Sequence, residues 1–198
     1  MQQNESPFML FLNAIPICTR VMLISTLSFS IATSFYPSIG YLSYFDEEEI
    51  TERFQVWRLF TPFFVMRMGF PFIMHLLMLY KFSAELEESY FNNTKDYVLY
   101  LLFILGLIDT FSVLYVPLHQ QFITCIVYTC CRADPESVMS FLFGITLKRK
   151  YVPWALILLN VLMGSQLLPS FVLIAIAHCY YFVRHVIPVH YPQIPRLI

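Results

Sequence analysis

Apolar runs of helical length alternate with short polar breaks along nearly the whole chain. The first run is Val21–Tyr36, between Thr19-Arg20 and Pro37. Residues 1–16 are mixed and end in Ile15-Pro16. No basic stretch precedes the first run, so a cleaved leader is not expected. Residues 46–60 open on the acidic Asp46–Glu49 and read as an interfacial loop. The chain turns apolar from Leu59, but Pro62, Arg67, Gly69 and Pro71 interrupt it. Residues 59–69 are therefore predicted to be irregular and shallow, because bare backbone in lipid is costly. A clean helix is predicted from Phe70 to Phe82, then a polar loop over Ser83–Lys95 with Glu85, Glu87 and Glu88. Tyr97–Val116 is a third span and Leu118–Cys131 a short fourth. Val138–Leu147 is too short to span, and the basic run Lys148–Lys150 closes it, which places it at the interface. Tyr151–Leu168 and Pro169–Ile187 complete six spans. The prediction is an all-α polytopic membrane protein. One bundle of six transmembrane helices covers residues 1–198, with spans near 21–36, 70–82, 97–116, 118–131, 151–168 and 169–187.

Composition agrees. The chain is 58% hydrophobic and only 13% charged, whereas a soluble domain is about 25% charged. No basic run exceeds Lys148-Arg149-Lys150, so nucleic acid is not an expected partner; the lipid bilayer is. The five cysteines show no metal spacing, and no metal or cofactor is expected. Cys130-Cys131, at a predicted helix end, is a candidate for palmitate. With both ends cytosolic, nine of the 12 Lys and Arg lie on the cytosolic side. Arg53, Arg58 and Arg67 lie opposite. That split obeys the positive-inside rule. It turns the sequons at Asn4 and Asn92 to the cytosol, where they go unused.

Candidate chemistry is sparse. Arg53–Thr61 (RFQVWRLFT) puts two arginines, a glutamine and a tryptophan behind the acidic Asp46–Glu49, on the side facing away from the cytosol. There Trp57 suits the headgroup level, and Arg58 reaches phosphate, backbone carbonyls or Gln55 while its stem stays apolar. His75, Asp109 and His178 are ionisable groups inside predicted spans, which cost a few kcal/mol unless faced inward or hydrated. With Gln120, Gln121, Thr124 and Asn160 they either line a wet lateral groove or pair with one another between helices.

Several pieces, in order, resemble one family. They are Ile15-Pro16 with Thr19-Arg20, RFQVWRLFT, Tyr80-x-x-Ser83 with Leu86-Glu87, Ser140–Gly144 (SFLFG), Tyr151–Trp154 (YVPW) with Asn160, and Ala177-His178 with Tyr180–Phe182. Together they resemble the derlins, rhomboid-fold proteins of the endoplasmic reticulum membrane, over about residues 15–187. The resemblance implies a rhomboid-like six-helix bundle without protease activity. It also implies a role in endoplasmic-reticulum-associated degradation, helping misfolded proteins return to the cytosol beside a membrane ubiquitin ligase and an ATP-driven segregase. Animal derlins carry a long Gly-rich cytosolic tail for the segregase. Here eleven residues follow Ile187, ending in YPQIPRLI, without such a segment, so direct tail contact is not expected. Ala177 stands where many derlins have Gly, and alanine still allows close helix contact.

The residues bear on catalysis as well. A rhomboid protease needs a Gly-x-Ser-Gly turn at its fourth span, facing a histidine from its sixth. The fourth span here, LHQQFITCIVYTCC, has no serine and no glycine. His178 matches the base position but has no obvious nucleophile, so the expectation is a non-enzyme. Short spans and interfacial segments at opposite faces would thin the bilayer locally. The rival readings are a protease using Cys125 or Ser165 with His178, and a small polytopic transporter. The transporter would need paired intramembrane charges or duplicated halves, and neither is visible.

Overall fold

The computed structural model describes residues 7–91, 93–114, 118–141 and 144–186. The sequon asparagines Asn4 and Asn92, Phe143 and the tail beyond Val186 lie outside the described residues.

A short helix α1 (Pro7–Asn13) leads into α2 (Ile17–Phe35), which begins just after Pro16. The buried face of α2 is Thr19, Met22, Thr26 and Ser30, a stripe of mostly small residues at helical spacing. Its outer face exposes Ile17, Val21, Ile24 and Leu27. Small residues inward and branched aliphatics outward is the pattern of a helix packed in lipid rather than water. Hydroxyls on this face are not wasted: the Thr26 Oγ1 donates back to the Met22 carbonyl at 2.8 Å.

The interfacial loop holds α3 (Pro37–Ser43), α4 (Glu47–Arg53) and two 3₁₀ turns, Val56–Leu59 and Thr61–Phe63. Residues 64–69, between the flanking Pro62 and Pro71 and ending in Gly69, are irregular. Gly69, at φ 155°, turns the chain into α5 (Phe70–Met78).

The helix does not stop at Phe82. It runs on through wide π turns at Leu79–Ser83 and Leu86–Tyr90. The predicted polar loop over Ser83–Lys95 is thus helical through Tyr90. Leu79, Phe82 and Leu86 are fully buried and repeat at three- and four-residue spacing. That apolar stripe outweighs the surface acidity of Glu85 and Glu88.

α6 (Thr94–Leu114) has 21 residues. α7 (Ile123–Ala133), entered by a 3₁₀ turn at His119–Gln121, is the buried centre of the bundle. It packs against α8 (Val152–Leu162), α9 (Leu167–Tyr181) and the π-turn continuation of α5. Cys130 and Cys131 sit inside this packing, 2% and 1% exposed, so they are core residues and not open to palmitate.

The piece predicted to lie at the interface, Val138–Leu147, contributes two strands with the topology of a hairpin. β1 (Val138–Ser140) pairs antiparallel with β2 (Thr146–Lys148), Met139 facing Leu147. Lys148 and Lys150 both bind Glu136, at 3.0 and 2.7 Å, while Arg149 pairs with Glu85 and Lys81 with the Ser140 carbonyl. These pairs fasten the hairpin to the end of α5.

Ile17–Phe35, Thr94–Val113 and Leu167–Arg184 are long and apolar enough to cross a membrane. The predicted fourth and fifth spans are shorter as helices. The fifth ends at Leu162, where Gly164 at φ 87° reverses the chain.

Two polar anchors hold these elements together. Glu87, 4% exposed, accepts from the Cys18 and Thr19 N–H groups (3.0 and 2.9 Å) and from the Thr19 hydroxyl (2.9 Å). It caps the start of α2 from another helix, since Pro16 offers no side-chain cap. Ser83 bridges the Thr19 and Tyr97 hydroxyls at 2.8 and 2.6 Å. Beside this network, rings from the end of α5, from α6 and from α9 converge: Phe91, Tyr97, Tyr100 and Tyr180.

Candidate functional site

The loop motif folds around Arg58. Its side chain is buried, 3% exposed, although the loop lies at the bundle surface. The Nε–H donates to Gln55 Oε1 at 2.8 Å, and Nη1 donates to the Tyr41 and Tyr44 carbonyls at 3.1 and 2.8 Å. Gln55 in turn donates to Glu49 at 2.6 Å, and Glu49 also holds Arg53. The two carbonyls come from the end of α3, so Arg58 fastens that helix to the 3₁₀ turn of Val56–Leu59. Thr61 adds a second link, its hydroxyl donating to the Ser43 carbonyl at 3.1 Å. Trp57 points the other way, 49% exposed with the neighbouring Val56 and Phe60, as an interfacial indole should.

A cavity of about 420 Å³ opens beside this loop. His75, Gln120, Gln121, Asn160 and Ser165 line it on the polar side. Met66, Met68, Met74, Met78 and Met163 supply much of the rest. Unbranched thioethers fill irregular space and adapt to different contacts, so this wall is deformable. His75 is 5% exposed, and its Nε2 has no hydrogen-bond partner. Gln121 is fastened, accepting from the Ser170 hydroxyl of α9 at 2.8 Å. Gln120 also borders a second cavity of about 410 Å³.

Four of the seven candidate polar residues from the spans thus meet in one cavity: His75, Gln120, Gln121 and Asn160. Three do not. Thr124 is fully buried in α7 and does not line the cavity. His178 faces outward on α9, its Nδ1 2.8 Å from the Tyr128 hydroxyl, so it belongs to no groove. Asp109 pairs instead with His119, Oδ1 to Nε2 at 2.9 Å. His119 is 2% exposed and lies between the Phe45 and Phe63 rings, tying α6 to the loop. Sequence reasoning passed over His119 although it stands next to Gln120. Its signal was Asp109, an intramembrane carboxylate that needed a partner.

The geometry also separates the residues of the rival protease. Cys125 is buried and donates its thiol to the Leu173 carbonyl at 3.2 Å, while His178 is engaged with Tyr128 on the outer face. Ser165 lies in the cavity but on the turn after α8, far along the chain from any glycine-rich nucleophile turn at the start of α7. Among the described residues no cluster of three or more His, Cys, Asp or Glu is placed to hold a metal ion.

These features define a polytopic helical membrane bundle with a polar loop anchor and a side cavity. Residues 15–195 match the Der1-like family, and the chain belongs to that family. It is 34% identical over 170 residues to an uncharacterized derlin-like protein of Schizosaccharomyces pombe, covering 82% of this chain and 74% of that one. It is 30% identical over 147 residues to Derlin-1.1 of Zea mays, covering 70% and 60%. It is 29% identical over 184 residues to Derlin-1 of Mus musculus, covering 85% and 70%. The match to the maize protein thus spans under two-thirds of that relative's length.

Proposed function

We propose that the protein is a derlin-like component of endoplasmic-reticulum-associated degradation. It resides in the endoplasmic reticulum membrane with both termini cytosolic. It binds misfolded lumenal or membrane proteins and assists their passage to the cytosol, beside a membrane ubiquitin ligase and an ATP-driven segregase. It cuts no bond. Family membership supports the role, and the cavity supports the mechanism.

The observation that carries the mechanism is the pairing of a deformable, partly polar cavity with a short lipid-facing helix. α8 has 11 residues, about 16 Å of helix against a hydrocarbon layer of about 30 Å. The turn that follows it carries Ser165 and Gln166, which belong near water. A bilayer that thins to meet that turn presents a lower apolar barrier beside the cavity. The test is a chase of a misfolded lumenal client in cells with and without the protein. Depletion slows client loss, and the client that accumulates is full length. Unchanged client loss would remove the role. Shorter client fragments that vanish in Cys125→Ala or Ser165→Ala would restore the protease reading.

A further inference from the structure

We propose that the two cavities together hold one phospholipid, with its phosphate on Arg67 and an acyl chain among the methionines. The cavities share Met66, Arg67, Met68 and Gln120, so both border one segment of the chain. Arg67 stands at that junction, exposed, with no hydrogen bond or ion pair among the described residues. The contrast with Arg58, which is spent on three acceptors, is plain. An unpaired guanidinium at the edge of an apolar layer is matched by an oxyanion that takes it bidentately, and the phosphates of the headgroup layer lie at that level.

The backbone carrying Arg67 is held in place. The Ser30 hydroxyl of α2 accepts from the Met66 N–H at 3.1 Å and donates to the Phe64 carbonyl at 3.2 Å. On one side of Arg67 the second cavity offers Thr33, Ser34 and Tyr44 to a polar headgroup. On the other side the first cavity offers Met74, Met78, Met163 and Leu159 to hydrocarbon. His75 lies five residues into α5, about 8 Å below its start. Its unpartnered Nε2, in the tautomer that carries a proton there, donates to a glycerol ester oxygen.

A phospholipid joins one anion to a long apolar chain, and these cavities put one unpaired cation beside a methionine wall. A polypeptide would bring a row of unpaired N–H and C=O groups, and neither cavity is bordered by a strand edge among the described residues. Free phosphate would leave the methionine wall unused. The inference does not rest on the proposed role in degradation.

The full chain, purified in detergent, is offered phosphatidylcholine, diacylglycerol or inorganic phosphate, and retained ligand per chain is read by native mass spectrometry. Phosphatidylcholine is retained, diacylglycerol about tenfold less, and phosphate alone not at all; tenfold corresponds to about 1.4 kcal/mol. Arg67→Gln lowers phosphatidylcholine retention about tenfold, Arg67→Lys restores part of it, and Met163→Trp, which fills the apolar end, also lowers it. Equal retention by Arg67→Gln and the unaltered chain overturns the site. So does equal retention of diacylglycerol, retention of phosphate alone, or preference for a synthetic apolar peptide. Any of these results leaves the client chase, measured in cells, as a separate question.

Discussion

The α6 side and the α8 side of the molecule meet the same membrane with different lengths. α6 has 21 residues, about 32 Å, which matches a hydrocarbon layer of about 30 Å. It exposes Val98, Leu99 and Leu102 outward, and its inner face joins the Tyr97–Tyr100 ring cluster. α8 also faces outward, through Trp154, Leu158 and Leu162, but has roughly half the length. The Glu87 anchor follows the same division, although His119, held by Asp109 of α6, leaves its Nδ1 without a partner. Glu87 and Ser83 lock α2 and α5 to α6 with each hydrogen bond made. On the α8 side, His75 is left without a partner beside a cavity. One side is built to fit the bilayer and stay shut. The other is built short, soft and partly polar, and that is where a client would find a reduced barrier.

The largest effect should come from breaking the matched side. Glu87→Ala leaves the Cys18 and Thr19 N–H groups unpaired, while the Thr19 hydroxyl keeps Ser83, at about 4 kcal/mol. It should lower the melting temperature in detergent far more than Glu88→Ala. Glu87→Gln keeps an acceptor and should cost about half as much. Arg58→Ala comes next, at about 2–3 kcal/mol, because the Tyr41 and Tyr44 carbonyls and Gln55 lose their donor. The loop should then exchange amide hydrogens faster over residues 41–58, with the spans unchanged. Client degradation should slow in Arg58→Ala at matched abundance, and should not slow in Glu47→Ala or Glu48→Ala, which touch only water.

The α8 side should respond in the opposite sense. His75→Phe removes a buried nitrogen that has no partner, so stability should stay within about 1 kcal/mol or rise. A loss above that range would show that His75 is satisfied, and the two sides would no longer differ in this way. The smallest effect concerns the hairpin. Lys150 and Lys148 bind Glu136 and hold its carboxyl below the usual range. A depressed carboxylate contributes above its unfolded pKa and loses that contribution as pH falls through the lowered value. A spin label at Val138 should therefore gain mobility only under acid below about pH 4, and Glu136→Gln should show the acid mobility already at neutral pH.

Much of this was legible in the sequence, and the misses have physical causes. Three of the six spans, the irregular end of the 59–69 stretch and the contacts of Arg58 follow from hydropathy, from Gly69 and from a cation needing acceptors. The cavity pairing of His75 with Gln120, Gln121 and Asn160 was legible as a list of polar residues in spans, but not as a selection. His178 and Thr124 carry the same signal and lie elsewhere, since which side of a helix faces a neighbour depends on tertiary packing. The continuation of α5 past Phe82 was hidden because Glu85, Glu87 and Glu88 look like a loop. Only the Leu79, Phe82 and Leu86 spacing reveals the helix, and only the neighbouring start of α2 explains why Glu87 is inside. The hairpin escaped because the helix-length reading was applied to residues whose alternation at Val138–Ser140 has period two.

The most direct test is the thickness of the bilayer around the purified protein, read from a cryo-electron microscopy map in lipid nanodiscs. The account predicts a hydrocarbon layer several ångströms thinner beside α8 and the cavity than beside α6. A layer of equal thickness on both sides would contradict it.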